Sequence, residues 1–460
     1  MGKATGKFRR ESEGESRRRF LSALAGGIAS LGVAGLACAQ RNAGRQVPQQ
    51  PGSPAPAGRQ GKPNFVLILA DDLGYGDLSC YGAPDINTPV LDRLAAQGAR
   101  FTQFYVSAPV CSPTRAGFLT GRYQQRCGIT AVLTTKNRAA GMPLEEITIA
   151  EALKPAGYVT GIFGKWHLGY QPKFNPTNQG FDKFRGFLAG NIDYFAHIDN
   201  QGKHDWWDGT TEVHEEGYLT ELITKHAVEF IEENKDRPFF LYVPHGCVHS
   251  PYQGPKDQAT AGKRPGFRGR KVYAEMVEAM DAGVGEIVDT LQRLGLERNT
   301  LLIFFSDNGG TRNAGRNAPL SGSKATLLEG GIRVPMIAYW PGTIAPGQTV
   351  DEVTICLDFF PTLLEAAGLA PPRKLDGASL LGLFKEGRKL GERTLFWGFR
   401  NERAVRQGDW KLLIRQGQTR LFNLAEDIAE KNDLAQREPK RAAALREALL
   451  QWEKDVGPTR

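Results

Sequence analysis

Three groups of residues in this 460-residue chain carry side chains whose types and spacing could do chemistry. The first is Cys111-Ser112-Pro113-Thr114-Arg115, a C-x-P-x-R spacing. With 6 Cys and 27 Pro, and all 58 Lys and Arg taken as a ceiling for Arg, roughly 0.04 chance occurrences are expected. A cysteine there is a candidate nucleophile, although a lone cysteine is also a small buried hydrophobe. The second group is Asp71-Asp72 and Asp307-Asn308. Three carboxylates and one amide oxygen brought together repel one another unless a cation lies between them. An all-oxygen donor set suits Ca²⁺ or Mg²⁺ rather than Zn²⁺; Ca²⁺ is preferred here and Mg²⁺ stays open. Adjacent aspartates can also merely cap turns. The third group holds cations and proton donors: Lys165 and His167 in Gly-Lys-Trp-His-Leu-Gly, His249 in His-Ser-Pro, and Lys324 in Gly-Ser-Lys. Singly, a lysine is a solvated charge and a histidine a structural one. Placement in glycine-flanked loops, directly after a strand for Lys165 and His167, favours function. His245 is the less favoured partner beside His249.

The elements that must position these groups can be read from apolar patterning. Residues 65–70 form a continuous apolar run, the mark of a strand buried on both faces, and Asp71-Asp72 follow it directly. Thr88 and Pro89 predict a helix start, with Thr88 as cap and Gly98 as stop. Helices are expected over 148–154, 217–234 and 272–294, followed by strands over 158–163, 238–243 and 300–305. Asp307-Asn308 lie just past the last of these. Alternating strands and helices predict an α/β fold, a mostly parallel sheet sandwiched by helices. Ligands of such sheets bind at the carboxyl ends of the strands. An amphipathic helix is expected near 359–367. Beyond about residue 390 the pattern changes to short strands at 403–407, 410–415 and 421–424, with a helix over 439–454. The expected division is a catalytic domain over 63–385 and a small antiparallel C-terminal subdomain over 386–460.

Composition is globular, 41% hydrophobic and 23% charged. The formal charge of +8 does not mark a nucleic-acid binder, because residues 1–62 hold eleven basic and three acidic residues and the remainder carries 47 of each sign. The excess belongs to a leader and linker. Residues 1–39 read as an export signal: Ser16-Arg17-Arg18-Arg19-Phe20-Leu21 resembles a twin-arginine motif, an Ala/Gly-rich apolar run follows, and Ala37-Cys38-Ala39 offers a cleavage site. An uncleaved anchor or a lipidated Cys38 is the alternative fate of this leader. Residues 40–62 read as a disordered linker. The expected location is periplasmic or secreted, with the twin-arginine machinery as a partner. Five cysteines lie beyond the leader, and both disulfides and free thiols are open to them.

The C-x-P-x-R stretch, with the other motifs in the same order, resembles the type I sulfatases of the alkaline phosphatase-like superfamily, from about residue 63 to the C-terminus. In that family this cysteine becomes formylglycine, an aldehyde, through a formylglycine-generating enzyme that reads Pro113 and Arg115. The resemblance implies a sulfatase, an arylsulfatase-like sulfuric ester hydrolase. Its aldehyde hydrate attacks sulfur, expels the alcohol, and then collapses to release sulfate, dividing one hard step into two. It implies metal ligation by Asp71, Asp72, Cys111, Asp307 and Asn308, the metal acting as Lewis acid. Arg115 would steady the formylglycine, His167 would assist the diol, and Lys165, His249 and Lys324 would bind sulfate and meet the departing oxygen. The expected substrate is a sulfated carbohydrate or an aryl sulfate. In residues 190–209, Asp193, Tyr194, His197, His204, Asp205, Trp206 and Trp207 are candidates for sugar contact. The alternatives are a phosphate-ester or phosphonate hydrolase on the same fold, and a non-catalytic sulfated-glycan binder if Cys111 remains a thiol.

Overall fold

The computed structural model describes residues 61–457. The expected leader, and all but the last two residues of the expected linker, lie outside the described residues. Among the described residues no helix is long and apolar enough to cross a membrane.

Ten strands form one sheet, in the spatial order Gln348–Val350, Ala99–Phe101, Met336–Tyr339, Thr300–Ser306, Asn64–Ala70, Phe239–Pro244, Val159–Lys165, Lys183–Phe187, Trp207–Asp208 and Thr211–Glu212. The five central strands, Thr300–Ser306 to Lys183–Phe187, run parallel. Asn64–Ala70 sits in the middle, pairing Phe65 with Phe240 on one side and Leu301 on the other. All its residues are buried, as its unbroken apolar run requires. Antiparallel pairing appears on both flanks, where Met336–Tyr339 meets Thr300–Ser306 and Trp207–Asp208 meets Lys183–Phe187.

Helices cover both faces, and strand alternation shows which is where. Phe118, on the Cys111–Thr120 helix, packs edge-on against Tyr242 and Phe305. Phe230, on the Leu219–Glu233 helix, packs against Phe239 and Phe163. Tyr242 and Phe239 are three apart on one strand and therefore point to opposite faces. Full burial of an aromatic of this size contributes about 1.5–3 kcal/mol. The Arg270–Arg293 helix packs on Leu219–Glu233, with Met276, Met280, Val284, Ile287 and Leu291 buried at the expected spacing.

The C-terminal part holds a four-stranded antiparallel sheet, Thr394–Phe399, Glu402–Gln407, Trp410–Arg415 and Gln418–Asn423. The Pro439–Val456 helix covers it, with Trp452 stacked on Phe396 at 5.4 Å. The first of these strands was not expected from the sequence. Thr88 is also a correction. It precedes the Pro89–Gln97 helix, but its hydroxyl makes no cap bond to that helix and instead accepts the Ser79 N–H at 3.0 Å. The five described cysteines are all unpaired.

Candidate active site

Three parallel strands end at the same rim, and the chemistry sits on the residues that follow them. Asp71 and Asp72 follow Ala70, Asp307 and Asn308 follow Ser306, and Lys165 ends its strand two residues before His167. Asp72 (φ 64°) and His167 (φ 60°) hold left-handed backbone conformations, uncommon for residues with a Cβ and concentrated at functional sites. Two loops meet through glycine. A Cβ on Gly309 would stand 1.8 Å from the Gly330 carbonyl oxygen, so only glycine permits the approach. The Lys324 N–H donates to the Gly310 carbonyl at 3.0 Å, and the Lys324 ammonium and the Asn308 amide share Asp72 Oδ1 as acceptor.

Cys111 is the first residue of the Cys111–Thr120 helix, all ten residues of which are buried. Its thiol donates to Asp71 Oδ1 at 3.4 Å, and Lys324 Nζ lies 3.4 Å from Sγ. Burial, with Asp307 and Asp71 nearby, pushes the thiol far above its ordinary range. As a thiol this group is therefore a poor nucleophile.

Each carboxylate has a cation. Lys165 Nζ donates to Asp71 Oδ2 at 2.6 Å, Lys324 Nζ to Asp72 Oδ1 at 2.5 Å, and Arg115 Nη2 to Asp307 Oδ2 at 2.8 Å. Arg115 also donates through Nη1 to the Lys165 carbonyl at 3.0 Å and to the Tyr242 hydroxyl at 3.4 Å. Burial and the neighbouring Asp307 raise the Asp71 carboxyl to about 7. Burial alone would raise Asp72 too, but Lys324 and His249 outweigh it and hold that carboxyl well below its usual range. His249 Nε2 stands 3.6 Å from Asp72 Oδ2, and burial pushes the imidazole down to about 4. His167 is driven well below its ordinary range by burial and then by Lys165 and Arg115. Its Nε2 meets the Leu133 carbonyl at 2.8 Å and its buried Nδ1 has no partner. Both shifts favour the neutral imidazole.

A metal ion fits this donor set. Asp71, Asp72, Cys111 and His249 each offer one ligand atom within 4.8 Å of the others. Asp307 Oδ1 accepts the Asp72 N–H at 3.2 Å and Asn308 Nδ2 donates to Asp72 Oδ1 at 2.8 Å, so both border that cluster. Asn308 Oδ1 is buried with no hydrogen-bond partner. An orphaned acceptor costs about 1–3 kcal/mol, and a cation would satisfy it.

Every site residue expected from the motifs is thus at this rim. The sugar-contact candidates divide. Trp206 is fully buried, stacked on His197, with Nε1 donating to Glu215 Oε2 at 3.1 Å. Asp193 is spent on the backbone N–H groups of Phe195, Ala196 and Gly262, and the Tyr194 hydroxyl donates to the Gly246 carbonyl. These four residues, Asp193, Tyr194, His197 and Trp206, build the core and do not face a ligand. His204, Asp205 and Trp207 line a cavity. Sequence reading missed Tyr242 and the Leu133 carbonyl. The first is one aromatic in a buried strand and the second a backbone atom, so neither has a sequence signal. His245 is buried with both ring nitrogens unpartnered and is not among the ion-pair partners of the three aspartates.

Comparison with known proteins agrees with this geometry. The family profile described as sulfatase matches residues 63–369, and one described as N-sulphoglucosamine sulphohydrolase, C-terminal, matches residues 323–454. N-acetylgalactosamine-6-sulfatase of Rattus norvegicus is 37% identical over 385 residues, 77% of this chain and 72% of that protein. Arylsulfatase A of Homo sapiens is 37% identical over 390 residues, 76% of this chain and 74% of that protein. Among solved structures, Ps i-CgsB in complex with k-i-k-neocarrahexaose superposes with a TM-score of 0.80 at 33% identity, over 86% of this chain and 94% of that one.

Proposed function

Because this chain belongs to the sulfatase family and is a sulfuric ester hydrolase, we propose that it removes sulfate from a sulfated carbohydrate, using formylglycine made from Cys111 and a bound divalent metal, Ca²⁺ in preference to Mg²⁺. The observation that carries the reading is the position of Cys111. Its Sγ lies between Asp71 and Lys324 at the sheet rim, in the cluster with Asp71, Asp72 and His249 whose ligand atoms are close enough to share one ion, and the oxygen donors Asp307 and Asn308 border it. Relatives that act on N-acetylgalactosamine-6-sulfate, and a structural neighbour holding a neocarrahexaose, support a glycan as substrate.

Asp71, Asp72, Asp307 and Asn308 would hold the metal, with position 111 beside it; when bound, the ion supplies Lewis acidity and lowers the pKa of an attacking hydroxyl. The remaining chemistry falls to the chain's own residues. Arg115, locked between Asp307, Tyr242 and the Lys165 carbonyl, fixes the base of the site and cannot swing away. Lys165 and Lys324 place two ammonium groups against the charge of the sulfate. His249, mostly buried and held neutral by that burial, stands beside Asp72, where it could hydrogen-bond the ester oxygen as it leaves. The unpartnered Nδ1 of neutral His167 is free to take a proton.

We further propose that residues 1–39 export the protein by the twin-arginine route to the periplasm or beyond, after a formylglycine-generating enzyme has acted in the cytoplasm. The test of the catalytic reading is a panel of sulfated mono- and disaccharides with free sulfate as readout, run beside phosphate monoesters. Preferential release of sulfate is expected. Faster turnover of phosphate monoesters overturns the sulfate assignment.

A further inference from the structure

The hairpin at one edge of the large sheet gathers side chains that the chemistry above does not use. Trp207–Asp208 pairs antiparallel with Thr211–Glu212, Trp207 opposite Glu212. The Val213 N–H carries the pairing further by donating to the Trp206 carbonyl at 2.9 Å. Glu212 and His214 lie either side of Val213 and so leave the same face of the hairpin. His204 reaches that face from the preceding segment. Its backbone bridges Ile198, and the next residue, Asp205, donates its N–H to the His197 carbonyl at 2.8 Å. The Asp205 side chain anchors the same segment, accepting the Leu188 and Ala189 N–H groups at 3.1 and 2.8 Å and the Trp207 indole N–H at 2.6 Å. The side chains of His204, Glu212 and His214 thus hang from backbone that is held in place without them.

Those three side chains converge. Each can offer one ligand atom with all three atoms within 4.8 Å of one another. His204 Nδ1 stands 3.1 Å from Glu212 Oε1, and the two imidazole rings lie 4.1 Å apart between centroids, tilted by 35°. Two donors bound to one tetrahedral Zn²⁺ stand about 3.4 Å apart, so the first pair is already near that spacing. The His204–Glu212 contact accounts for two of the three groups and leaves the second imidazole unexplained. Among the described residues His214 makes no hydrogen bond or ion pair, so its ring nitrogens are uncommitted. Charge favours a cation as well. The cavity that His204 and Glu212 line, about 440 Å³, sets the carboxylates of Asp199, Asp205 and Glu212 against only Arg138 and Lys203. Two imidazoles with one carboxylate suit Zn²⁺, Cu²⁺ or Ni²⁺, whereas Ca²⁺ and Mg²⁺ take oxygen.

We propose that His204, Glu212 and His214 form a second metal site, separate from the strand rim, that binds Zn²⁺ or a like transition-metal ion and clips the edge hairpin to the segment before it. Each strand of that hairpin is two residues long. Hairpins so short hold weakly on their own, and an ion bound across this one ties its far strand back to His204. The site is independent of the sulfatase reading and stands or falls apart from it.

The test is calorimetric titration of Zn²⁺ into the protein held in excess Ca²⁺, which keeps the oxygen donors of the rim occupied. One equivalent should bind. His204→Ala and His214→Ala should each weaken binding by roughly tenfold or more, since loss of even an outer partner of a ligand costs that much. His214 is exposed, so its variant leaves the core untouched. Asp72→Asn, which alters the rim, should leave Zn²⁺ affinity within about twofold. Hydrogen exchange over residues 204–214 should slow when Zn²⁺ is added to wild type and not when it is added to His214→Ala. Unchanged affinity in both histidine variants, or binding lost in Asp72→Asn, places the ion at the rim and overturns the site. So does a wild type that takes up no Zn²⁺, or one whose bound Zn²⁺ is displaced by an equal concentration of Ca²⁺. Binding that leaves exchange over residues 204–214 unchanged overturns the clip.

Discussion

Lys411 offers the sharpest test of how the C-terminal sheet is joined to the loop that carries Lys324. It lies on the Trp410–Arg415 strand with its side chain fully buried, and its ammonium is 2.8 Å from both Glu329 Oε1 and Glu430 Oε1. Glu430 Oε2 in turn accepts the Glu329 N–H at 2.7 Å. Replacing Lys411 with Met keeps the stem of the side chain and removes its charge. Glu329 retains Arg333 at 3.4 Å, but Glu430 has no other ion pair among the described residues. Removing one partner of a buried pair costs about 3–5 kcal/mol. By contrast, Lys154→Ala, which breaks the exposed pair with Asp182, should cost less than about 1 kcal/mol. Burial already raises the Glu430 carboxyl above its ordinary value of 4.5, and losing Lys411 would raise it further. A carboxyl whose folded pKa is raised favours the fold below its unfolded pKa and loses that contribution as pH rises through the folded value. The Lys411→Met deficit should therefore be larger at pH 8 than at pH 5. Urea denaturation followed by tryptophan fluorescence at both pH values measures it, and adding Glu430→Gln should recover part of the loss. A deficit below about 1 kcal/mol at pH 8, or one that grows toward acid, refutes the reasoning.

Cys111→Ala should abolish sulfate release while leaving circular dichroism and melting unchanged, and the wild-type peptide should carry one sulfur and two hydrogens fewer and one oxygen more than its sequence predicts; an intact thiol in active enzyme refutes the nucleophile. Chelation should remove activity and Ca²⁺ or Mg²⁺ should restore it, whereas normal turnover by a metal-free sample would require another role for Asp71, Asp72, Asp307 and Asn308. Asn308→Ala removes the orphaned amide oxygen together with its bond to Asp72; metal affinity measured by titration should fall by at least tenfold, and unchanged affinity removes Asn308 from the ligand set. Burial pushes His245 from 6.5 down to about 3. A base with a depressed folded pKa keeps its contribution above pH 6.5 and loses it as pH falls toward 3. His245→Leu should therefore flatten the fall in melting temperature over that window, and an unaltered pH profile refutes the assignment.

The rim that gathers the candidate residues was legible because they sit directly beyond strands that are apolar on both faces. Asp71 and Asp307 could be placed together by topology before any distance was known. Helices with a full amphipathic period, such as Arg270–Arg293, fell within two residues of expectation. Strands of two to four residues escaped, because Met336–Tyr339 and Trp207–Asp208 are too short for a period to show. Thr394–Phe399 was missed because its exposed, charged approach hides the alternation that follows. Trp206 and Trp207 look alike in sequence, yet the first, just before the Trp207–Asp208 strand, is fully buried in the core and the second, on that strand, lines a cavity wall. Thr88 shows that a cap-forming residue can be claimed by a neighbouring loop instead.

The helix that begins at Cys111 has all ten of its residues buried. If position 111 is converted to the aldehyde as proposed, an enzyme that grips positions 111, 113 and 115 together would have nothing to hold once that helix has docked. Conversion would then have to be completed while the segment is still extended, and a molecule that folded first would be locked out of activity for as long as it stayed folded. The active fraction of a preparation would reflect a race between modification and collapse, and slower synthesis or cooler growth would change specific activity without changing the sequence.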